Sequence, residues 1–531
     1  MVKGLSRFTE YPFPEIIALN ANTIEKRDSM EHVKKRARWL LPILALLLVL
    51  AGCQAVSGYD VNKALLGNLD VKSAEESVSF SLNAVPASGI SAEDQKTIDL
   101  INSLTLNVSH LKLQDNGDIS AEGTLGFKQA SIPFAFYMNK TVLALNVEGA
   151  KKPFYFPLQG YDQELSAVGL DKDKAESVGK LVSQFVVKNL PNPSAISVTP
   201  VNEAVYGEQL NLMKLHAEVT GDELPSLLKA FLKSISKDTE GFTQLIDGLY
   251  DYLLPVLKQE STSALLEQYG LSDIPLDNKE DVVPVLHDAA KLAVDAALLV
   301  YDKQLDKLYQ STPEIKTVLS KDTKLQVDLF VDSALHVRKQ NVSLNVALPN
   351  DGSIPIRSIS FKSESQIWNI NGPVKADPIA VDGALNITEM RFTPGSILSN
   401  FDASSTVYRV LKDDLGITKK SAVIDPKLYD TVVKGKTTMI PLRYLAGLLD
   451  AQVKWDAASK KITVIDDVYG TTIVLKAGSA NAVIDGTKVK LPEPVIFDKY
   501  GRGYVPLRIV AEALHAEVKV DDEGLIYITR D

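Results

Sequence analysis

The sequence predicts an α+β protein, in which an antiparallel curved sheet with helices on one side is followed by a small α+β domain made of two repeats. Three observations predict this fold. Apolar residues alternate with polar ones over much of 78–147, as they do in half-buried strands. They recur with a helical period within 161–320, and the segment 439–443 returns 65 residues later as 504–508.

The amino-acid composition limits the classes of protein to which the chain can belong. The 531 residues are 45% hydrophobic and 23% charged, which suits two or three globular domains rather than a disordered chain. The net charge of −10 argues against nucleic acid as a partner. Cys53 is the single cysteine, so it cannot form a disulfide within the chain and its chemistry must be of another kind.

The first element along the chain has the pattern of a signal peptide. An apolar run at 39–50 is too short to span a bilayer comfortably, and it follows a basic cluster made of Lys34, Lys35, Arg36 and Arg38. The run ends in Leu50, Ala51, Gly52 and Cys53, a segment that resembles the bacterial lipobox. The resemblance implies that the lipoprotein signal peptidase acts before Cys53 and that the thiol carries diacylglycerol, which would hold the protein on the extracytoplasmic face of the membrane.

The alternative for Cys53 is a buried, unmodified cysteine that follows a signal anchor. With the lipobox, residues 30–52 are the signal peptide, Met30 is the true start and residues 1–29 are an upstream extension. Residues 53–70 are then a tether between the lipid and the folded part of the protein.

The body of the protein, 71–400, begins with predicted strands. Val78, Phe80 and Leu82 share one parity, and the alternation continues through 104–113. Asn116 and Gly117 form a hairpin signal. With further strands at 132–138 and 141–147, this region is predicted to be an antiparallel meander of about five strands.

Three apolar stripes with helical spacing follow the meander. The first runs from Leu224 to Ile235, with Asp222 as the predicted N-cap, and the second covers 242–253. The third consists of Leu286, Ala289, Leu292, Ala293, Ala296, Leu299 and Val300. Strands are predicted between and after these helices, at 211–219, 325–331, 342–348 and 354–361.

A curved antiparallel sheet behind a lipidated cysteine, with helices on one side, resembles the LolA-like and LppX-like lipoprotein carriers over about 71–370. The resemblance is architectural, and it implies a half-barrel that encloses acyl chains. The alternative is that the apolar faces of sheet and helices pack on each other and leave no room for a ligand.

After a linker at 401–420, the C-terminal part at 421–531 uses one unit twice. In each copy a short strand runs into a proline that suits the first turn of a helix, and an arginine follows two positions later. These residues are Pro441 and Arg443 in the first copy, and Pro506 and Arg508 in the second.

Each predicted helix has an apolar stripe and is followed at once by a strand. The stripe consists of Leu442, Leu445 and Leu449 in the first copy, and of Leu507, Val510 and Leu514 in the second. The strand at 451–456 contains Trp455 and Asp456, and its counterpart at 516–521 ends in Asp521. The repeated unit is therefore strand, helix and hairpin.

The paired Pro-Leu-Arg motifs, the Val-Lys-Trp-Asp segment at 453–456 and the strand pair between Gly478 and Gly486 resemble the copper amine oxidase N-terminal domain family, also called the stalk domain. The resemblance covers about 421–531 and implies a non-catalytic module with a structural or binding role. Asp450 and His515 stand where the family places glycine, and Val520 replaces the second tryptophan. Because Asp and His tolerate the left-handed region better than most residues, we predict positive φ at 450 and 515.

The residues do not support the interpretation that the protein is an enzyme. Copper amine oxidase chemistry needs a quinone-forming tyrosine motif and three histidines on copper, and the sequence shows neither pattern. The histidines stand singly, without the close spacing of a local metal site, at His32, His110, His216, His287, His336 and His515. We therefore expect no cofactor, no metal and no catalytic residues.

Arg443 and Arg508 stand early in their helices, where the backbone field disfavours a cation. We therefore expect a negatively charged or hydrogen-bond-accepting group beside each arginine. One hypothesis is a structural pairing with a carboxylate or with carbonyl groups of the adjacent strand. The other is a site for an anion or a cell-wall polymer.

Two hypotheses for function remain, both for a membrane-anchored lipoprotein that binds or scaffolds in the bacterial envelope. In the first, the C-terminal domain binds a cell-wall polymer or an envelope protein, and the body is a spacer. In the second, the body carries a lipid or another apolar ligand, and the C-terminal domain is the spacer. An enzyme of unknown class is a third option.

Overall fold

The computed structural model describes residues 59–158, 172–258, 278–352, 354–390, 392–426 and 430–530. The predicted signal peptide, the lipobox residues Leu50, Ala51 and Gly52, and Cys53 lie outside the described residues, as do residues 54–58 of the predicted tether. The prediction of a tether is wrong for residues 59–70, because the helix Val61–Gly67 buries Val61 and Ala64 in a core cluster of the body. In the ranges that are described, no helix combines the length and the apolar character needed to cross a bilayer.

The body is built on one large sheet, which contains twelve of the described strands. They are β1 (Ala74–Pro86), β2 (Thr105–Leu113), β3 (Ile119–Phe127), β4 (Ala130–Met138), β5 (Val142–Val147), β6 (Phe154–Pro157), β7 (Ala195–Val205), β8 (Glu208–Thr220), β9 (Lys324–Val331), β10 (Val337–Ala347), β11 (Ile356–Trp368) and β12 (Leu385–Asn386). Their order is β12-β6-β5-β4-β3-β2-β1-β11-β10-β9-β8-β7. Every neighbouring pair is antiparallel except β12 and β6. The sheet and its helices confirm the predicted α+β class.

Helices connect and cover these strands. They are α1 (Val61–Gly67), α2 (Ala92–Asn102), α3 (Lys172–Asn189), α4 (Leu224–Lys237), α5 (Thr239–Leu257), α6 (Lys279–Ser311), α7 (Ile315–Val318), α8 (Pro394–Ser399) and α9 (Thr406–Arg409). A 3₁₀ turn at Asn68–Asp70 and a π turn at Val410–Asp414 extend α1 and α9. The sequence patterns did not reveal α2 or β7.

One face of the sheet is apolar because the strand register brings apolar residues into rows. Leu82, Phe361, Leu344, Leu325 and Val219 lie side by side across β1, β11, β10, β9 and β8. Such cross-strand rows stabilise a sheet by burying a continuous surface. The alternating parity of the sequence places Val78, Phe80 and Leu82 on this face, where all three are half-buried.

Helices fill this face over β8–β11. Val61 of α1, Leu224 and Leu227 of α4, and Val318 of α7 belong to one buried cluster with strand residues such as Leu325. Helix α4 begins after Glu223, whose side chain makes no capping hydrogen bond. The prediction of Asp222 as N-cap is wrong, because its carboxylate accepts a hydrogen bond from the Thr220 hydroxyl at 2.6 Å instead.

The helical period of α6 was predicted correctly, but the inward face was not. Leu292 and Leu299 of the predicted stripe are 70% and 87% exposed. The buried residues near the start of α6 are Val282 and Val283, which pack with Tyr250 of α5. The error arises because α6 has apolar residues on more than one side, so periodicity alone does not choose between them.

Residues 401–420, predicted as a linker, pack against the body. Phe401, Val407 and Val410 are buried in a cluster with Phe127 and Ile132 of β3 and β4. This segment therefore holds the start of the C-terminal domain close to the sheet. A loop of that domain also meets α8: a Cβ atom at Gly395 would come within 2.2 Å of the Asp467 carbonyl carbon and oxygen.

The C-terminal domain has its own core and three small sheets among the described residues. Its elements are β13 (Lys420–Ile424), β14 (Val432–Lys434), β15 (Thr437–Pro441), α10 (Leu442–Leu448), β16 (Ala451–Asp456), β17 (Lys461–Asp466), β18 (Thr472–Lys476), β19 (Asn481–Ile484), β20 (Thr487–Lys490), β21 (Ile496–Phe497), β22 (Gly503–Pro506), α11 (Leu507–Ala513), β23 (Glu517–Val520) and β24 (Ile526–Arg530). The sheet orders are β13-β24-β23, β14-β15-β22-β21 and β16-β17-β18-β19-β20.

Candidate functional site

The two repeats meet through their equivalent strands. β15 and β22 pair antiparallel, with Ile440 opposite Val505 and Pro441 opposite Tyr504. Pro441 and Pro506 each end a strand as the helix N-cap, with ψ of 120° and 114°, so each lies directly before the first helical turn rather than within it as predicted. The extended ψ turns the chain out of the sheet and into the helix. The repeat of strand, helix and hairpin is thus confirmed.

The predicted stripes of both helices form the core of the domain. All six residues are 0–2% exposed: Leu442, Leu445, Leu449, Leu507, Val510 and Leu514. Asp450 and His515, which follow the stripes, have φ of 57° and 61°, as predicted. The His515 ring makes a hydrogen bond with the Thr471 hydroxyl at 3.0 Å, and Asp450 accepts one from Arg530.

Arg530 joins the two repeats from inside the core. Its side chain has no exposure to solvent, and its guanidinium lies 2.8 Å from Asp450 and 4.0 Å from Asp466. It also donates hydrogen bonds to the carbonyl oxygens of Leu449 at 2.7 Å and Thr418 at 3.1 Å. Arg530 therefore connects the entry segment, the first repeat and the last described strand.

A cleft of about 690 Å³ opens beside the first repeat. Its walls are mainly apolar, and its described lining consists of Asp430, Thr431, Ile440, Pro441, Leu442, Arg443, Tyr444, Val453, Trp455, Ile462, Phe497, Gly501, Arg502 and Gly503. This volume is in the range of small-molecule sites, and a few polar groups among apolar walls are typical of them.

Two half-exposed aromatic rings form part of the wall. Trp455 on β16 is 45% exposed and Phe497 on β21 is 41% exposed. Their ring centroids are 5.6 Å apart and their planes are tilted by 57°. The second repeat lacks this feature because Val520 stands at the position equivalent to Trp455. Large apolar rings left half-exposed in a concave surface indicate a binding site more than a core.

The two repeat arginines have different surroundings. The Arg508 Nη1 donates to the Val518 carbonyl oxygen at 2.8 Å, and Glu512 lies 3.8 Å away. This is the structural role that the sequence left open for Arg508. Arg443 lines the cleft and is exposed, and no hydrogen bond or ion pair engages it in the part of the chain that the structure describes.

A second cation at the cleft is already neutralised. Arg502 lies 2.5 Å from Asp430 and 2.6 Å from Asp498. The hydrogen bond from its side chain to Asp498, with the ion pair to Asp430, raises the pKa of Arg502. Desolvation acts against ionisation of Asp498, but the hydrogen bonds from Arg502 prevail and lower the pKa of Asp498. Arg502 thus fixes the 498–502 loop at the rim of the cleft.

Residues 424–528 match the family model of the copper amine oxidase N-terminal domain. The match begins at the last residue of β13 and includes both repeats and the cleft. It confirms the resemblance predicted for the C-terminal part. No curated protein is significantly similar to the chain.

The aspartates shared by the two repeats of this copper amine oxidase N-terminal domain form turns. Asp456 accepts hydrogen bonds from the Ser459 hydroxyl at 2.6 Å and from the Ala458 backbone at 3.0 Å, and these lower its pKa. Asp521 accepts from the backbone of Glu523 and Leu525 in the second repeat. Both residues hold a β-turn, so neither contributes to the cleft.

The name of the domain family raises the question of copper. The described residues contain no group of three or more His, Cys, Asp or Glu side chains that could hold a metal ion. The family is that of a non-catalytic domain, and the described lining of the cleft contains no His or Cys and one carboxylate, Asp430.

Phe497, Tyr444 and Arg502 also line the cleft but were not predicted as site residues. Phe497 and Arg502 lie outside the stretches that match between the repeats, whereas Tyr444 lies within α10 but is replaced by Ile509 in the second repeat. A usable signal was present, because 497–504 carries three aromatic residues around Arg502 in a short loop-rich segment.

Proposed function

We propose that the protein is a non-catalytic lipoprotein of the bacterial envelope, and that its copper amine oxidase N-terminal domain binds a cell-wall polymer in the cleft at Trp455 and Phe497. The observation that carries the proposal is the pair of half-exposed aromatic rings in that cleft. An aromatic face offers a flat apolar surface to the C–H face of a sugar ring, with little side-chain entropy to lose.

The charges of the cleft support binding rather than catalysis. Of the described lining residues, Asp430 is the one carboxylate, and its partner Arg502 holds it at 2.5 Å. Hydrolysis of a glycosidic bond ordinarily needs two carboxyl groups that flank the bond. The described cleft presents a single carboxylate that is already neutralised, which suits recognition.

Trp455→Ala is expected to weaken binding of the full-length protein to purified cell walls by at least about tenfold, because central aromatic side chains dominate many binding sites. Co-sedimentation with isolated walls measures the effect. Val520→Ala is the matched control, since Val520 occupies the equivalent position in the second repeat and is 54% exposed. Equal binding by both variants and the wild-type protein would exclude this cleft as the wall-binding site.

The lipid anchor is the second part of the proposal, and it rests on the residues Leu50 to Cys53. Cys53→Ser is expected to abolish acylation and to release the protein from the membrane fraction, because serine cannot carry the thioether-linked lipid. Metabolic labelling with a fatty acid, followed by fractionation, measures both effects. A labelled, membrane-bound Cys53→Ser protein contradicts the anchor.

A carrier role for the body is the second candidate. The helices that fill the sheet over β8–β11 count against it there. On β3 and β4, however, Phe134 and Phe136 of the same apolar face remain half-buried in the described structure, which leaves apolar surface for a ligand. A lipid that copurifies with the body in native mass spectrometry would favour this role.

A further inference from the structure

We infer that the ligand of the cleft carries an anionic group, a carboxylate or a phosphate, on or beside the sugar ring that stacks on Trp455, and that Arg443 receives this anion. The inference rests on the proposed function and specifies the chemistry of its ligand. It follows from the charge balance of the cleft and from a comparison of the two repeats.

The described lining residues of the cleft include two cations, Arg443 and Arg502, and one carboxylate, Asp430. Asp430 pairs with Arg502 at 2.5 Å, and Asp498, which is not among the lining residues, contacts Arg502 at 2.6 Å. Arg443 is the remaining charged residue among the described lining residues. The described lining of the cleft therefore presents one guanidinium group without a counter-charge.

In the second repeat, the arginine equivalent to Arg443 has a structural role. Arg508 reaches the Val518 carbonyl oxygen on the following strand and has Glu512 one helical turn away. The equivalent residues of the first repeat are Val453, which lines the cleft, and Gly447, which has no side chain. The first repeat thus lacks the carboxylate that accompanies Arg508, and Arg443 faces the cleft instead.

The guanidinium and the aromatic rings are arranged to act on one ligand. Arg443 is the second residue of α10, and Trp455 lies near the end of β16. Both residues line the same cavity of about 690 Å³. A guanidinium group presents a planar fork of donors that matches a carboxylate or a phosphate. A sugar unit with an acidic substituent can stack on the Trp455 ring and pair with the Arg443 guanidinium at the same time.

The test compares acidic and neutral probes on the full-length protein. Isothermal titration uses a disaccharide of N-acetylglucosamine and N-acetylmuramic acid, its neutral counterpart made of N-acetylglucosamine alone, and a glycerol phosphate oligomer. We expect an acidic probe to bind at least about tenfold more tightly than the neutral one, with a preference that declines as salt rises, because exposed charges are screened. The carboxylated and phosphorylated probes distinguish the two sources of the anion.

Arginine variants locate the effect. Arg443→Met is expected to remove the preference, so that the acidic and the neutral probe bind with the same affinity, and Arg443→Lys is expected to restore part of the preference. Arg508→Met is the matched control from the second repeat and should keep the preference. Equal affinity for acidic and neutral probes, a preference that survives in Arg443→Met, or no binding of any probe would overturn the inference.

The experiments distinguish a failure of this inference from a failure of the proposed function. If Trp455→Ala weakens binding to whole walls while acidic and neutral probes bind alike, the cleft binds a wall polymer but not through an anion. If Trp455→Ala binds whole walls as the wild-type protein does, the proposed function itself fails.

Discussion

Arg530→Met is expected to lower the free energy of unfolding of the C-terminal domain by about 3–5 kcal/mol, the usual cost of breaking a buried ion pair by removing one partner. The variant leaves Asp466 in the core without its cation and leaves Asp450 with Lys420 as its ion-pair partner; the two aspartate side chains are 0% and 10% exposed. The Leu449 carbonyl also loses the donor that lies 2.7 Å away. An unpaired buried carboxylate is costly because neither water nor a cation replaces the lost partner.

The measurement must report on the C-terminal domain alone. Hydrogen exchange followed by mass spectrometry does so, through peptides that cover α10 and α11 in the full-length protein. Lys519→Met is a suitable control because Lys519 pairs with Glu517 at the surface, with 71% of its side chain exposed. Such surface pairs contribute about 0–1 kcal/mol. Unchanged protection of both helices in Arg530→Met would show that the ion pair is not required.

Gly395→Ala is expected to loosen the contact between the body and the C-terminal domain. A Cβ atom at this position would lie 2.2 Å from the Asp467 carbonyl group, and a backbone neighbour cannot rotate away. Overpacking of this kind typically costs about 1–3 kcal/mol. We expect faster proteolysis at 401–420 and a larger radius in X-ray scattering, while each domain stays folded.

Gly447→Ala gives the opposite expectation and serves as the matched control. Gly447 lies in α10, and no atom comes within 4 Å of the added methyl group. Alanine in a helix is favoured over glycine by about 0.5–1 kcal/mol, so this variant should be slightly more stable. If both variants gain stability and keep the scattering radius of the wild-type protein, α8 does not rest against Asp467.

The sequence predicted the C-terminal domain better than the body, for a physical reason. The repeated unit occurs twice in the sequence, so its strand, helix and hairpin could be aligned between the two copies. The alignment also identified Asp450 and His515 as residues with positive φ. In the body, α6 has apolar residues on several sides, and its buried face was set by packing against α5 rather than by the period. Tertiary contacts of this kind are not encoded in local spacing.

The candidate site shows the same division. Trp455 and Arg443 were selected because they belong to the repeated motif, and both line the cleft. Phe497 and Arg502 come from the segment between the matching stretches, so only the fold brings them to the site. Arg530 had a local signal that went unused, since it shares the buried parity of Ile526 and Ile528 on β24.

The pairing of β13 with β24 has a mechanical consequence. The body connects to the C-terminal domain through β13, and five residue pairs, from Lys420 opposite Arg530 to Ile424 opposite Ile526, join β13 to β24. If the lipid holds one end of the protein and the cleft holds the wall, any tension between membrane and wall enters the domain at this ladder. Lys420 and Arg530 both contact Asp450, at 3.0 and 2.8 Å, so a force at this junction is shared with the first repeat, which contributes Arg443 and Trp455 to the cleft.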